Sequence, residues 1–230
     1  MKRTPPVKYL LTSASLSLFI TGCALPPPAS GLLPSDVIDL SYWKITLPLE
    51  GIGGKAEEVN VGSINAYYDP DFFYANSDRG VVFASPNQAT TTGGSTNTRS
   101  ELRQMMNGNA GGSPQYRKNN FALAANPGAK KFADIGGKLA ATLKVDAVSV
   151  HAGHPNKPPA YSVVVGQIHA GSDNYLLYKT DDKFGWGNEP IKVYFKKWPN
   201  HSTGSVFWTY EKNLAKKDPN RTDVAYPVWG

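Results

Sequence analysis

The sequence predicts an all-β fold, a sandwich or jelly roll with few helices. Three observations carry this expectation. Short runs rich in β-branched and aromatic residues alternate with period two. Turn signals recur about every 10 to 20 residues. No long stretch shows helical periodicity. Punctuation comes from 22 glycines and 18 prolines. The 230 residues, 40% hydrophobic and 18% charged, suffice for the core of one medium domain.

The first elements are not part of that domain. Lys2, Arg3 and Lys8 form a positive leader, and "YLLTSASLSLFI", residues 9 to 20, is apolar but too short for an ordinary spanning helix. "ITGC" follows, ending on Cys23, the only cysteine in the chain. It resembles a bacterial lipobox, which implies cleavage before Cys23 and lipidation of its thiol. A plain export signal with an incidental cysteine is the other reading. Ala24, where an aspartate would retain the protein at the inner membrane, resembles outer-membrane sorting. On either reading the protein is exported, as an outer-membrane lipoprotein or to the periplasm or beyond. The expected division is a lipoprotein-type signal over 1–22, a Pro/Ser-rich tether over 23–35 and a folded domain over 36–230. One cysteine allows no internal disulfide, so packing alone must hold the domain.

Net charge is +6, and half of that excess lies in Lys2, Arg3 and Lys8. The remaining balance suits an acidic partner without identifying one. No Lys/Arg-rich run marks a nucleic-acid footprint.

Within the domain, "YWKITLPL" (42–49) reads as a strand, and Asn76 to Gly80 as a turn leading into the strand "GVVFAS". "TRSELRQM" is a strand or a helix start. "KLAATLKVDAV" alternates from Leu139 to Val145. "SVVVGQIHA" and "NYLLYKT" are two strands joined by "GSD" as a hairpin. "IKVYFKKW" and "GSVFWTYEKN" alternate again.

Three segments are candidates for function. If "TRSELR" is a strand, Arg99, Glu101 and Arg103 share one face while Ser100 and Leu102 point the other way. Three such charges face solvent or a groove, where arginine suits bidentate contact with carboxylates. A solvated sheet face with Glu101 bridging two arginines is the plainer alternative. In "SVVVGQIHA", alternation puts Val163, Val165, Gln167 and His169 on one face. Val164, Gly166, Ile168 and Ala170 then form a wholly apolar core side. The first face reads as the floor of a cleft or as a satisfied structural Gln–His pair. The aromatic and basic segment "VYFKKWPNHSTGSVFWTYEKN" suits a sugar-binding groove, a single-stranded nucleic-acid channel or a core with an exposed edge. His151 and His154 in "HAGH" lie among Gly and Pro without a carboxylate partner and read as loop histidines.

"TRSELR", then "VGQIHA" some 60 residues later, with "YWKITLP" upstream, resembles polysaccharide lyase family 7, the alginate lyases. The family blocks R-[STN]-E-L and Q-[IV]-H both occur intact and in order. The likeness runs from about Asp36 to the end of the chain. It implies a β-jelly roll with a concave substrate groove and a lyase that cleaves alginate, an acidic poly-uronate, by β-elimination. By resemblance, Arg99, Gln167 and His169 are catalytic, and Glu101 and Arg103 bind substrate or orient Arg99. No metal or cofactor is needed, and a monomer is expected. The family's fourth catalytic residue is a tyrosine in a C-terminal block of the form Y-F-K-A-G-x-Y-x-Q. "VYFKKW" at 193–198 shares only three letters with it and lies too early, so no role passes to Tyr194. With the block absent and the chain closing on "NRTDVAYPVWG", the domain is expected to be incomplete at its C-terminus. A non-catalytic carbohydrate-binding jelly-roll lipoprotein is the alternative function.

Overall fold

A computed structural model describes residues 28–105, 108, 138–153, 156–169, 189–215 and 217–229. Residues 1–27 with Cys23, the expected strand "NYLLYKT" with its hairpin, and His154 lie outside them. The described residues form nine strands and three short 3-10 turns, with no α-helix, as an all-β fold requires. The strands are β1 (Trp43–Glu50), β2 (Ala56–Val59), β3 (Phe73–Ala75), β4 (Val81–Phe83), β5 (Glu101–Gln104), β6 (Ser162–Ile168), β7 (Ile191–Lys196), β8 (Ser205–Glu211) and β9 (Asp223–Trp229). They pair as three antiparallel sheets, β2-β1-β5, β3-β4 and β6-β7-β8-β9.

The core sits under the first sheet. Leu40, Ile45, Leu47, Val59, Ile64 and Phe73 form one buried cluster, with Trp43, Leu102 and Val81 packed on it. Alternation explains the choice. Ile45 lies opposite Leu102 on β5 and Val59 on β2, so one face of the sheet is apolar throughout. The expected turn after β3 is present. Asn76 Oδ1 accepts hydrogen bonds from the backbone N–H of Asp78 and Gly80, and Arg79 takes a left-handed φ of 58°.

Residues 28–35, expected within the tether, are in contact with the fold. Ser30 Oγ donates to the Ala75 carbonyl at 2.7 Å, Ser35 Oγ donates to the Asn65 carbonyl at 2.6 Å, and Pro34 is buried.

Two expectations need correction. Leu139 to Val145, which alternates well, forms no strand, and Leu139 and Leu143 are exposed. A period-two pattern is realised only where a neighbouring strand accepts its backbone groups, and this segment joins no ladder among the described residues. The second concerns β6. Val164 lies opposite Tyr194, but Gly166 lies opposite Val193, so Val165 is an extra residue in a β-bulge. The bulge shifts the alternation. Ser162 and Val164, not Val163 and Val165, share the face of Gln167, while Val163 joins Gly166 and Ile168. That second face is not deep core either, since Val163 is 38% and Ile168 37% exposed.

In the four-stranded sheet, register places Lys192, Tyr194 and Lys196 of β7 on the Gln167 face, with Phe207 and Thr209 of β8. Tyr194 stacks on Phe207 at 4.8 Å between ring centroids. On the opposite face Trp208 stacks on Tyr226 of β9 at 4.5 Å. Pro227 is tolerated because β9 is an edge strand among the described residues. Gly204, just before β8, has a steric reason. A Cβ there would fall 2.0 Å from Phe195 Cζ, so any other residue would have to displace that ring.

Candidate active site

The polar face of the first sheet builds half of the site. Lys44 of β1 lies opposite Arg103, and Thr46 lies opposite both Glu101 and Glu58. Their side chains therefore share one face, as alternation through "TRSELR" requires. Glu58 accepts from Lys44 Nζ at 2.8 Å and from Thr46 Oγ1 at 3.3 Å, and Arg103 Nη1 stands 3.9 Å away. Arg103 Nε reaches Glu101 Oε1 at 3.0 Å. Arg99, two residues before β5, places Nη1 3.5 Å from Glu101 Oε2. Ser100, pointing the other way, donates to the Phe72 carbonyl at 2.7 Å and pins the strand entry to the core side. Three cations thus face two carboxylates in this cluster.

Arg99 is not fully used by these contacts. Its side chain is only 16% exposed, and its Nε is buried without a hydrogen-bond partner. A buried guanidinium with a spare donor is unusual outside functional sites. It suits a second carboxylate beyond Glu101.

The β6 strand supplies the other half. Gln167 Nε2 donates to Glu101 Oε2 at 3.4 Å, joining residues 66 apart in sequence. The carboxylate only accepts, so it fixes which end of the amide faces it. Arg99, Glu101, Arg103 and Gln167 therefore form one connected group. His169 follows two residues after Gln167, and its Nε2 lies 3.5 Å from Glu189 Oε1. The other Glu189 oxygen accepts from Lys192 Nζ. Burial opposes the charge on Lys192. The bond to Glu189, that carboxylate's charge, and the nearby Tyr194 and Asp223 together push its pKa above the ordinary lysine value. Burial first, then Asp223 and Glu189, push the Tyr194 hydroxyl up against the opposing effects of Lys192 and a Thr209 hydrogen bond. The phenol therefore keeps its proton well past neutral pH.

The aromatic and basic segment splits between faces. Lys192 and Tyr194 belong to the site face, Val193 and Phe195 to the other, and Lys196 Nζ lies 3.8 Å above the Trp198 ring. His151 sits in a bend, where its carbonyl accepts from Asn87 Nδ2 at 2.6 Å.

Glu58, Glu189 and Lys192 were not singled out from the sequence. Lys192 carried a weak signal, its place on the alternating face of "IKVYFKKW". Glu189 precedes Pro190 outside any strand and had none.

On this antiparallel all-β fold, Arg99, Glu101 and Arg103 at β5 meet the Gln-x-His segment at the end of β6. The chain belongs to the alginate lyase family, whose profile matches residues 38–230. It is similar to an alginate lyase of Klebsiella pneumoniae, 34% identical over 205 residues, 86% of this chain and 60% of that relative. Against the crystal structure of the alginate lyase from Klebsiella pneumoniae the TM-score is 0.60 at 28% identity, over 85% of this chain and 64% of that one. Against the exolytic family 7 alginate lyase of Zobellia galactanivorans it is 0.54 at 34% identity, over 86% and 51%. The chain spans about three fifths of the length of the curated relative it matches. These likenesses bear out the jelly-roll expectation.

Proposed function

We propose that the protein cleaves alginate by β-elimination, leaving a double bond at the new non-reducing end. The carrying observation is the convergence of Arg99 and Gln167 on one Glu101 oxygen, with His169 two residues beyond Gln167, just past the end of β6.

The chemistry follows from the substrate. The proton on carbon 5 of a uronate is weakly acidic while the adjacent carboxylate is ionised, because the intermediate gathers a second negative charge. Arg99, with its spare buried donor, and the second amide hydrogen of Gln167 neutralise that carboxylate. His169 takes the proton, since imidazole is the common general base of neutral pH. The electron pair of the broken C5–H bond forms the C4–C5 double bond. The C4–O bond breaks, and the departing oxygen takes up a proton from water. Arg103 and Glu101 hold Arg99 in place and bind neighbouring uronates.

The test is ultraviolet absorbance of unsaturated product on poly-mannuronate, poly-guluronate and mixed polymer. A rise is expected on at least one, and no rise on any overturns the reading. Retarded migration in an alginate gel without chain shortening would instead favour a binding module.

The proposal extends to location. The Lys2/Arg3/Lys8 leader, the apolar run and "ITGC" support export and a lipid anchor at Cys23, with the domain acting as a monomer on extracellular polymer. Palmitate labelling that survives Cys23→Ser would overturn the anchor.

A further inference from the structure

Glu189 has no place in the scheme above, yet the structure builds a clamp around it. Its Oε1 faces His169 Nε2 at 3.5 Å, and its Oε2 takes the Lys192 ammonium. The backbone is held from both directions. Glu189 N–H donates to Glu211 Oε2 at 3.3 Å, and Glu211 N–H donates to the Glu189 carbonyl at 3.2 Å. Glu211 is in turn fixed by Arg221 Nη2 at 2.5 Å from its Oε1. The side chains of this chain of contacts, from His169 to Arg221, are each no more than 24% exposed. A carboxylate held this firmly does not drift to suit its neighbour; the neighbour turns to suit it.

We propose that Glu189 is the positioning residue for His169. A carboxylate accepts and never donates, so it favours the imidazole tautomer with the proton on Nε2. That tautomer carries its lone pair on Nδ1, the ring's basic nitrogen. As the imidazolium forms, its Nε2–H charge develops against Glu189, which stabilises it as a buried carboxylate does in other His-dependent sites. Lys192 keeps Glu189 in register with the strand that pairs with β6. The role rests on the lyase reading, but its structural half is measurable without turnover.

The experiment compares wild type, Glu189→Met and Glu189→Asp by nitrogen-15 spectroscopy of the neutral histidines, with His169 assigned through its loss in His169→Gln. Methionine keeps the volume and removes the acceptor; aspartate restores the carboxylate one methylene short. The wild type is expected to show the Nε2–H tautomer at His169, Glu189→Met to lose that preference, and Glu189→Asp to recover part of it. In steady-state kinetics kcat should fall about tenfold to a hundredfold in Glu189→Met, with KM little changed. A His169 tautomer that is the same in wild type and in folded Glu189→Met overturns the positioning role. A wild type that releases no unsaturated product overturns the lyase reading instead, so the two failures are distinguishable.

Discussion

The two halves of the site rest on sheets built differently. In β2-β1-β5, Ile45, Leu47 and Val59 are buried on one face, and on the other even Lys44 and Thr46 are buried. In β6-β7-β8-β9, most residues on both faces stay partly open, and among the described side chains only Thr209 is buried. Arg99, Glu101 and Arg103 stand on or beside the dense sheet; Gln167 and His169 stand on the open one. Arg99, the proposed carboxylate binder, thus has its ion pairs backed by a closely packed sheet, whereas the ion pairs around His169, the proposed base, stand on an open one. Packing is dense and hard to deform. Ion pairs at partly open positions are weaker individually and depend on their partners. The side-chain bond from Gln167 to Glu101 ties the two halves together.

Five changes test that contrast, from largest effect to smallest. Phe73, fully buried, anchors the dense side. Phe73→Ala should lower unfolding free energy by about 3–5 kcal/mol in urea titration. A loss near that expected for a surface site would show that the core lies elsewhere. Arg99→Ala should reduce product formation by a factor of about 10² to 10³ with the melting midpoint near the parent's. Retained activity would remove Arg99 from the chemistry. Glu58→Gln leaves the Lys44 ammonium, 4% exposed, without its carboxylate. We expect a loss of about 1–3 kcal/mol, read by the same titration; an unchanged midpoint would mean that Lys44 finds another acceptor.

The fourth change is pH. Lys192, Tyr194 and Tyr67 all have raised pKa values, Tyr67 through burial and then the charges of Glu57 and Asp69. Each holds its proton more tightly folded than unfolded. Above the ordinary values of 10.0 for tyrosine and 10.5 for lysine the folded protein binds more protons, so stability falls as pH rises. That contribution is fully present below pH 10 and is lost through the alkaline range. Tyr194→Phe should make the fall of melting midpoint with pH shallower; an identical slope would exclude Tyr194 as a contributor. Smallest is Val163→Ala on the open sheet, expected to change stability by about 0.5 kcal/mol or less. A cost approaching that of Phe73→Ala would erase the distinction between the sheets.

Much of this site was legible from residue order. Period-two alternation put Glu101 and Arg103 on one face because a strand's geometry is local, and β1 faces Thr46 and Lys44 to the same side; Arg99, two residues before β5, joins them through its contact with Glu101. The same rule failed in "SVVVGQIHA". A bulge is set by the partner strand's register, and the isolated Gly166 beside Val165 is its only local sign in β6. It failed again at Leu139–Val145, where the pattern lacks a partner ladder.

The sequence by itself determined the all-β class, the shared face of Glu101 and Arg103 and the proximity of Gln167 to His169, since each depends on neighbours within a few residues. Only the tertiary structure decided that Gln167 meets Glu101 across 66 residues and that Glu189 meets His169. Those contacts depend on which strands pair and in what register. That is settled by burial of the whole sheet and leaves no periodic mark at the residues involved.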